Sequence, residues 1–220
     1  MNPPLEYGNY YHIYNRGNNY ENIFRNNEDY LHFLHIYDIY IDPIAETFAW
    51  CLMKNHFHIL IRIKNENEIG FLNPDYSHSD NTELKWKTFF PSQPDDRFTR
   101  KPVPILQFKH LFNSYSKWFN IKHQRSGALF QKNFQRKPVD NEKYYTNLIV
   151  YIHNNPIKHG FVEHILDYPW TSYLTILSTK PTKLSRNEVI EYFDSIENFE
   201  HLHNVDMDEN ELAIQDWIIE

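Results

Sequence analysis

Hydrophobic residues recur along the chain with two periods, one typical of strands and one typical of helices. Short runs in which apolar residues alternate with polar ones, or that are rich in β-branched and aromatic residues, predict strands. These runs cover residues 10–16, 46–53, 56–63 and a short extended segment near 128–135. Only Lys54 and Asn55 separate the second run from the third, so we expect these two strands to be neighbours in one sheet.

Longer segments between these strands carry apolar residues at helical spacing. The predicted helices cover 27–41, 105–123, 141–155, part of 167–177 and the acidic region from about 185. We expect the third of these helices to stop before Pro156, because the residue that precedes a proline avoids the helical region. Residues 66–104 are polar and punctuated by prolines, which predicts a long insertion.

The order of these elements predicts the α+β fold class. The simplest assembly is an antiparallel sheet whose helices pack on one face. We expect one domain over residues 1–180, interrupted by the insertion at 66–104, and an acidic C-terminal helical appendage over 181–220.

Composition excludes several other classes of protein. The 220 residues include 17% aromatic side chains, so the chain can bury a core and differs from a disordered sequence. Its five glycines are too widely spaced for a P-loop or a dinucleotide-binding fingerprint. The single cysteine, Cys51, allows no internal disulfide, which fits a reducing compartment. Without a long apolar run or a signal-peptide pattern, we expect a soluble cytoplasmic protein and no membrane partner.

Charge is segregated, although the formal net charge is only −7. Residues 188–220 contain eleven acidic residues and no Lys or Arg, whereas 97–143 contain eleven basic residues against two acidic ones. Aromatic residues interleave with this basic segment, a composition that suits single-stranded nucleic acid, because cations neutralise phosphates and aromatic faces stack on bases. A solvated helix face over an aromatic core would have the same composition. The acidic tail is either a solvated appendage or a segment that restrains non-specific binding.

The sharpest local motif is His56-Phe57-His58 on a predicted strand. Side chains alternate along a strand, so His56 and His58 lie on the same face and can both bind one divalent ion. Such a site needs a third ligand from elsewhere. The alternative is a pair of histidines that form hydrogen bonds on a polar sheet face.

A second motif lies on the helix predicted to end before Pro156. Tyr151 and Asn155 are four residues apart and share one helix face. The Asn155 amide oxygen is a suitable ligand for Mg²⁺ or Mn²⁺ beside imidazoles, and a tyrosine one turn away could attack a phosphate that this ion holds. Alternatively, Tyr151 is one of 16 tyrosines in an aromatic core.

Together the two motifs resemble the arrangement of the HUH single-strand endonucleases. The chain more closely resembles the single-tyrosine transposases, and among them the REP-associated tyrosine transposase-like branch. Matching blocks occur in family order over most of residues 10–175. They are 11–17 (YHIYNRG), 23–24 (IF), 29–30 (DY), 51–61 (CLMKNHFHILI), 119–123 (FNIKH), 127–131 (GALFQ), 151–162 (YIHNNPIKHGFV) and 167–173 (DYPWTSY).

The resemblance implies a fold, a cofactor and a chemistry. The fold would be an antiparallel sheet with a ferredoxin-like βαβ arrangement and flanking helices, with 1–180 as the catalytic domain. His56, His58 and Asn155 match the family's ligands for a divalent metal ion, Mg²⁺ or Mn²⁺. Tyr151 matches the nucleophile, which attacks a phosphate of single-stranded DNA, forms a 5′-phosphotyrosine link and frees a 3′-OH. Family members recognise imperfect DNA hairpins next to the cleavage site.

The expected partner is therefore single-stranded or hairpin DNA, bound by a monomer or a homodimer. The candidate DNA-binding residues are Arg16, Lys109, Lys117, Lys122, Arg125, Lys132, Arg136 and Lys137. Two other functions stay open at this point. One is a protein that binds hairpin DNA without cutting it, and the other is a metal-dependent phosphodiesterase in which water attacks instead of tyrosine.

Overall fold

A computed structural model describes residues 2–93 and 96–205. Its strands and helices, numbered in chain order, are β1 (Tyr10–Arg16), α1 (Asn27–Ile41), β2 (Ala45–Leu52), β3 (His56–Ile63), β4 (Phe71–Leu72), α2 (Thr82–Trp86), β5 (Thr88–Phe89), α3 (Pro104–Lys122), β6 (Gln135–Val139), α4 (Glu142–Lys158), α5 (Tyr173–Leu177), α6 (Arg186–Tyr192) and α7 (Ile196–Asn204). Short 3-10 turns occur at Asn18–Tyr20, Glu66–Glu68, Pro74–Tyr76 and Ile165–Asp167. Within these described ranges, no helix is both long enough and apolar enough to cross a membrane.

The main sheet has the strand order β2-β3-β1-β6, and every neighbouring pair is antiparallel. The succession β1-α1-β2-β3-α3-β6 with this strand order is that of a ferredoxin-like arrangement. The α+β class and the antiparallel sheet are thus confirmed. Strands β2 and β3 are neighbours, as the short Lys54-Asn55 connection predicted.

Helices cover both faces of the sheet, so the prediction that they pack on one face is wrong. On one face, Phe57 of β3 packs against Phe33 of α1 and Phe112 of α3. On the other face, Leu60 lies in a second core with α4 side chains such as Ile149. The physical reason is the composition of β3, which is buried at seven of its eight positions and therefore needs cover on both sides.

Helix α4 continues through Pro156 to Lys158, so the predicted stop before Pro156 is also wrong. Proline inside a helix removes its own N–H from the ladder and crowds the carbonyl four residues earlier. The turn that follows keeps its hydrogen bonds, because the backbone N–H of His159 donates to the carbonyl of Asn155 at 3.1 Å. Asn155 consequently lies inside a regular helix rather than at a frayed end.

The last strand of the sheet, β6, starts at Gln135. The predicted extended segment lay just before it, near 128–135. That segment contributes a single bridge, between Gly17 and Phe130. Strand β6 contains Pro138, which has no N–H to donate, and an edge strand tolerates this loss. Its polar sequence (QRKPV) lacks the apolar pattern on which a strand prediction depends.

The two C-terminal helices pack on the rest of the chain. Val189 of α6 and Phe199 of α7 are fully buried in the core that α4 shares. Residues 206–220 of the predicted acidic appendage lie outside the described residues, and the domain boundary near 180 stays a prediction. In the predicted insertion, Ile69, Leu72 and Trp86 are buried in the other core.

Candidate active site

Strand β3 and helix α4 bring the two sequence motifs together within one chain. The Nε2 atom of His56 lies 3.1 Å from the Oδ1 atom of Asn155. The ring of Tyr151 stands edge-on to the ring of His58, with 5.4 Å between centroids, and the two histidine rings are 5.2 Å apart. None of these four side chains is more than 4% exposed. Strand alternation predicted that His56 and His58 share a face, and helical spacing predicted the same for Tyr151 and Asn155. Packing of α4 on the sheet brings the two pairs together.

Both histidines are held in the neutral state by burial. Burial lowers the pKa of His56 to about 4, although the Asn155 oxygen, which would accept a hydrogen bond from the protonated ring, opposes this shift. Burial and the neighbouring His12 and His56 rings hold the pKa of His58 well below its usual range. Neutral imidazoles keep a lone pair on one ring nitrogen, which is the state that binds a metal ion.

The atoms around His56 and Asn155 fit a divalent ion. The Nδ1 atom of His56 lies 2.8 Å from the Oδ1 atom of Asn55. That oxygen has no hydrogen to donate, so Nδ1 carries the ring proton and Nε2 carries the lone pair. Two lone-pair atoms, His56 Nε2 and Asn155 Oδ1, then stand 3.1 Å apart. Adjacent ligands of an octahedral ion with bonds of about 2.1 Å are separated by about 3.0 Å.

The proposed set of ligands depends on the Asn155 amide. Within residues 2–93 and 96–205, no three His, Cys, Asp or Glu side chains are grouped so that they could hold a metal ion. The buried Nε2 atom of His58 makes no hydrogen bond, so this atom is available for a ligand role. Two imidazole nitrogens, one amide oxygen and the oxygens of a bound phosphate together suit Mg²⁺ or Mn²⁺.

Strand β1 contributes two further side chains that sequence reasoning did not identify as site residues. Tyr14 pairs with His58 across the sheet, and its ring lies 5.8 Å from the His58 ring. His12 is fully buried, and its Nε2 atom lies 2.9 Å from the Nδ1 atom of His58. Burial lowers the pKa of His12 to about 3. Alternation along 10–16 places His12 and Tyr14 on one face, but the sequence does not give the register with β3.

The end of α4 adds two more groups beside the site. The Nζ atom of Lys158 lies 5.3 Å from the centre of the Tyr151 ring. The ring of His159 lies 5.1 Å from the ring of His56. A cavity of about 550 Å³ adjoins this end of α4, and Tyr151, Lys158 and His164 line it. Tyr151 borders this cavity, whereas His56, His58 and Asn155 do not line it.

The eight candidate DNA-binding residues fall into separate groups. Lys109, Lys132 and Arg136 line one cleft of about 690 Å³ between α3 and the segment that leads into β6. Arg16 pairs with His56 across the sheet, Lys137 pairs with His12, and Lys117 is exposed on α3.

Lys122 and Arg125 have close partners inside the protein, and Arg136 also donates to the backbone carbonyl of Pro3. Lys122 Nζ lies 2.8 Å from carboxylate oxygens of both Glu28 and Asp29. Arg125 donates to the side chain of Asn120 at 2.7 Å and to the carbonyl of Ala128 at 3.0 Å. These contacts connect α3 to the start of α1 and to the loop after α3.

Comparison with known proteins extends these observations. No protein-family model matches the chain. Over 129 residues, 58% of the chain, it is 25% identical to the "Putative REP-associated tyrosine transposase" of Haemophilus influenzae. Over 63 residues, 26% of the chain, it is 33% identical to the REP-associated tyrosine transposase of Escherichia coli K12. The chain spans 58% and 38% of the lengths of these two relatives.

A solved structure, of a REP-associated tyrosine transposase bound to a REP hairpin, has the same fold. The TM-score is 0.53, the sequence identity is 17%, and the alignment covers 82% of this chain and 87% of the other. This likeness concerns the fold alone, and it includes the four-stranded antiparallel sheet with its helices.

The resemblance to the REP-associated tyrosine transposases is thus confirmed by sequence, and the fold agrees with it. By sequence, the chain is a homologue of the REP-associated tyrosine transposases.

Proposed function

We propose that this chain is a metal-dependent single-stranded DNA endonuclease and strand transferase, which cleaves next to DNA hairpins through a 5′-phosphotyrosine intermediate. One observation carries the proposal: a single chain brings the Tyr151 ring to 5.4 Å from His58, and the His56 ring nitrogen to 3.1 Å from the Asn155 oxygen. All four residues come from one copy, which supports cleavage by the tyrosine of the same chain.

The residues divide the chemistry between them. His56, His58 and Asn155 would hold the divalent ion, which supplies a Lewis acid for the scissile phosphate. The hydroxyl oxygen of Tyr151 attacks phosphorus as its proton is lost, a phosphotyrosine bond forms, and the P–O3′ bond breaks. The leaving oxygen takes up a proton and becomes the free 3′-OH. The ammonium of Lys158 beside the Tyr151 ring favours negative charge on the phenol oxygen.

Strand transfer is the reverse of this step. A free 3′-OH attacks the phosphotyrosine, a P–O3′ bond forms and the tyrosine leaves. One phosphodiester is exchanged for another, so joining needs no external energy source.

The edge strand β6 connects the site to the proposed hairpin-binding surface. Lys137 pairs with His12 and lies on the face of the site, whereas Arg136 pairs with Ile13 and lies on the opposite face, in the cleft with Lys109 and Lys132. A hairpin that lies across this edge would contact cations on both faces. The solved relative with the same fold is bound to a REP hairpin, which supports hairpin DNA as the partner.

The test is cleavage of oligonucleotides that contain hairpins from the DNA flanking the gene. Each oligonucleotide carries one label at its 5′ end and another at its 3′ end. With Mn²⁺ or Mg²⁺, the 5′ label should appear on a free fragment that ends in a 3′-OH, while the 3′ label stays with protein in SDS. Chelation of the metal or His56→Ala should abolish both products.

Other outcomes identify the competing functions. Two free fragments with no protein-linked label would favour a phosphodiesterase that uses water. Tight hairpin binding without cleavage, on several flanking sequences and with both metals, would favour a protein that binds without cutting. Either result would overturn the proposed function.

A further inference from the structure

The two histidines of β3 have the same arrangement of partners at their Nδ1 atoms. The Nδ1 atom of His56 lies 2.8 Å from the Oδ1 atom of Asn55, which can only accept a hydrogen bond. The Nδ1 atom of His58 lies 2.9 Å from the Nε2 atom of His12, and the two rings are stacked at 24° with centroids 5.1 Å apart. In both histidines a neighbouring side chain lies within hydrogen-bond distance of Nδ1, so Nε2 is the ring nitrogen that can bind the metal ion.

Nothing in the proposed cleavage step uses His12 directly. Its side chain is fully buried, so it does not reach the DNA. It is fixed on the central strand β1, two positions before Tyr14, which pairs with His58 across the sheet. Its ring also lies 4.7 Å from the Tyr14 ring and 6.5 Å, edge-on, from the Tyr151 ring, but its close polar contact in the site is the one with His58 Nδ1.

A histidine ligand needs two things from its surroundings. The proton must stay on the nitrogen that does not bind the metal, and the ring must keep a fixed orientation. In known sites an acceptor for the second ring N–H supplies both, and its loss typically weakens metal binding by about 10- to 100-fold. Within the described residues, the Nε2 atom of His58 is buried without a hydrogen bond, as this arrangement requires.

We propose that His12 is the positioning residue of His58, whose Nδ1–H donates to His12 Nε2 so that His58 Nε2 faces the metal ion. The proposal rests on the proposed function, because it assigns a role within the same metal site. Strand β1 then has a role in the metal site, because His12 on β1 orients His58, a ligand on β3.

Two substitutions separate positioning from simple packing. His12→Gln keeps an amide oxygen that can accept from His58, whereas His12→Phe keeps a ring but has no acceptor. Mn²⁺ affinity of each folded variant is measured by titration followed with electron paramagnetic resonance, with circular dichroism as the check of folding. We expect His12→Phe to bind Mn²⁺ about 10- to 100-fold more weakly and His12→Gln to recover most of the loss. Wild-type affinity in a folded His12→Phe variant would overturn the proposal.

The tautomer of His58 provides a readout that needs neither activity nor metal. Long-range ¹H–¹⁵N spectra of the wild-type protein, assigned with His58→Gln, should show the proton of His58 on Nδ1. A proton on Nε2 would overturn the proposal. If the wild-type protein binds no Mn²⁺, the proposed metal site fails, while this measurement still decides whether His58 donates to His12.

Discussion

At the scale of single residues, Lys158 has the clearest electrostatic link to the proposed nucleophile. It lies seven residues after Tyr151 on α4, and two helical turns bring its Nζ atom to 5.3 Å from the ring centre. The lysine is solvent-exposed, which limits the interaction to about 0.5–1 kcal/mol. A phenol that loses its proton during attack gains more from this cation than the neutral phenol does.

We therefore expect Lys158→Met to slow formation of the covalent adduct by about two- to fivefold, which corresponds to the strength of an exposed cation–π contact. Lys158→Arg keeps the positive charge and should retain most of the rate. The measurement is the single-turnover rate with saturating metal and DNA. Equal rates for Lys158→Met and the wild type would show that this charge has no role in the step.

The residues that sequence reasoning identified are those with local relationships. His56 and His58 share a strand face, and Tyr151 and Asn155 share a helix face, so spacing alone predicts each pair. His12 and Tyr14 reach His58 only because β1 pairs with β3 in one particular register. That register is set by packing between distant segments, which a single sequence does not show.

At the scale of elements, α7 holds α4 through a buried chain of hydrogen bonds. The ring nitrogens of His153 lie 2.9 Å from His203 Nε2 and 2.7 Å from Ser172 Oγ. Asn154 also donates to the carbonyl of His203 at 2.9 Å. Burial lowers the pKa of His203 to about 4 and holds the pKa of His153 well below its usual range. Helix α4, which carries Tyr151, is thus held against α7 by two buried, neutral histidines.

This arrangement predicts that the protein loses stability as pH falls below about 6.5. Between the unfolded pKa of about 6.5 and the folded pKa of about 4, the unfolded state binds the proton on His203 and the folded state does not. The free energy of unfolding then falls by up to about 1.4 kcal/mol per pH unit for each such histidine. His203→Gln keeps a hydrogen-bonding group without this titration and should make the slope shallower.

Urea unfolding between pH 7 and pH 4.5 measures this slope. His201→Gln is the matched control, because His201 is exposed on the same helix, and this variant should follow the wild type. A His203→Gln variant with the wild-type slope would show that His203 does not contribute to the pH dependence.

Helices and strands with strong apolar patterns were predicted well, and weakly patterned ones were not. The limits of α1 and α3 agree with prediction to within one residue. Strand β6 was missed because its pairing with β1 compensates for a polar sequence that includes proline. The stop at Pro156 failed because tertiary packing of α4 outweighs the local preference of the residue before proline.

At the scale of the whole molecule, three cations of the basic segment come together beside β6. Lys109, Lys132 and Arg136 line one cleft there, although Arg136 also donates to the carbonyl of Pro3. Lys122 and Arg125 lie outside this cleft, against acidic or carbonyl groups of the protein itself. The fold thus divides a basic stretch of the sequence between a cleft that can contact a phosphate backbone and contacts that support packing. Sequence alone treats all of them alike.

We expect a variant with Lys109, Lys132 and Arg136 all changed to Gln to bind hairpin DNA about 100-fold more weakly at 0.1 M salt. Three lost phosphate contacts should also lower the slope of log K against log salt concentration by roughly 2–3. Affinities at several salt concentrations give both quantities. The matched control changes Lys87, Arg100 and Lys180, which are exposed outside the cleft, to Gln. An equal loss in the control would mean that net charge, rather than the cleft, determines binding.

Tyr151 is the proposed nucleophile, and comparison with Tyr14 tests this role most directly. Both rings lie within 6 Å of the His58 ring. The protein, Tyr151→Phe and Tyr14→Phe would each be incubated with Mn²⁺ and a 3′-labelled hairpin oligonucleotide, and the adduct located by mass spectrometry of tryptic peptides. We predict an adduct on Tyr151 in the wild type and in Tyr14→Phe, and none in Tyr151→Phe. An adduct that persists in Tyr151→Phe, or that maps to Tyr14, would contradict this account.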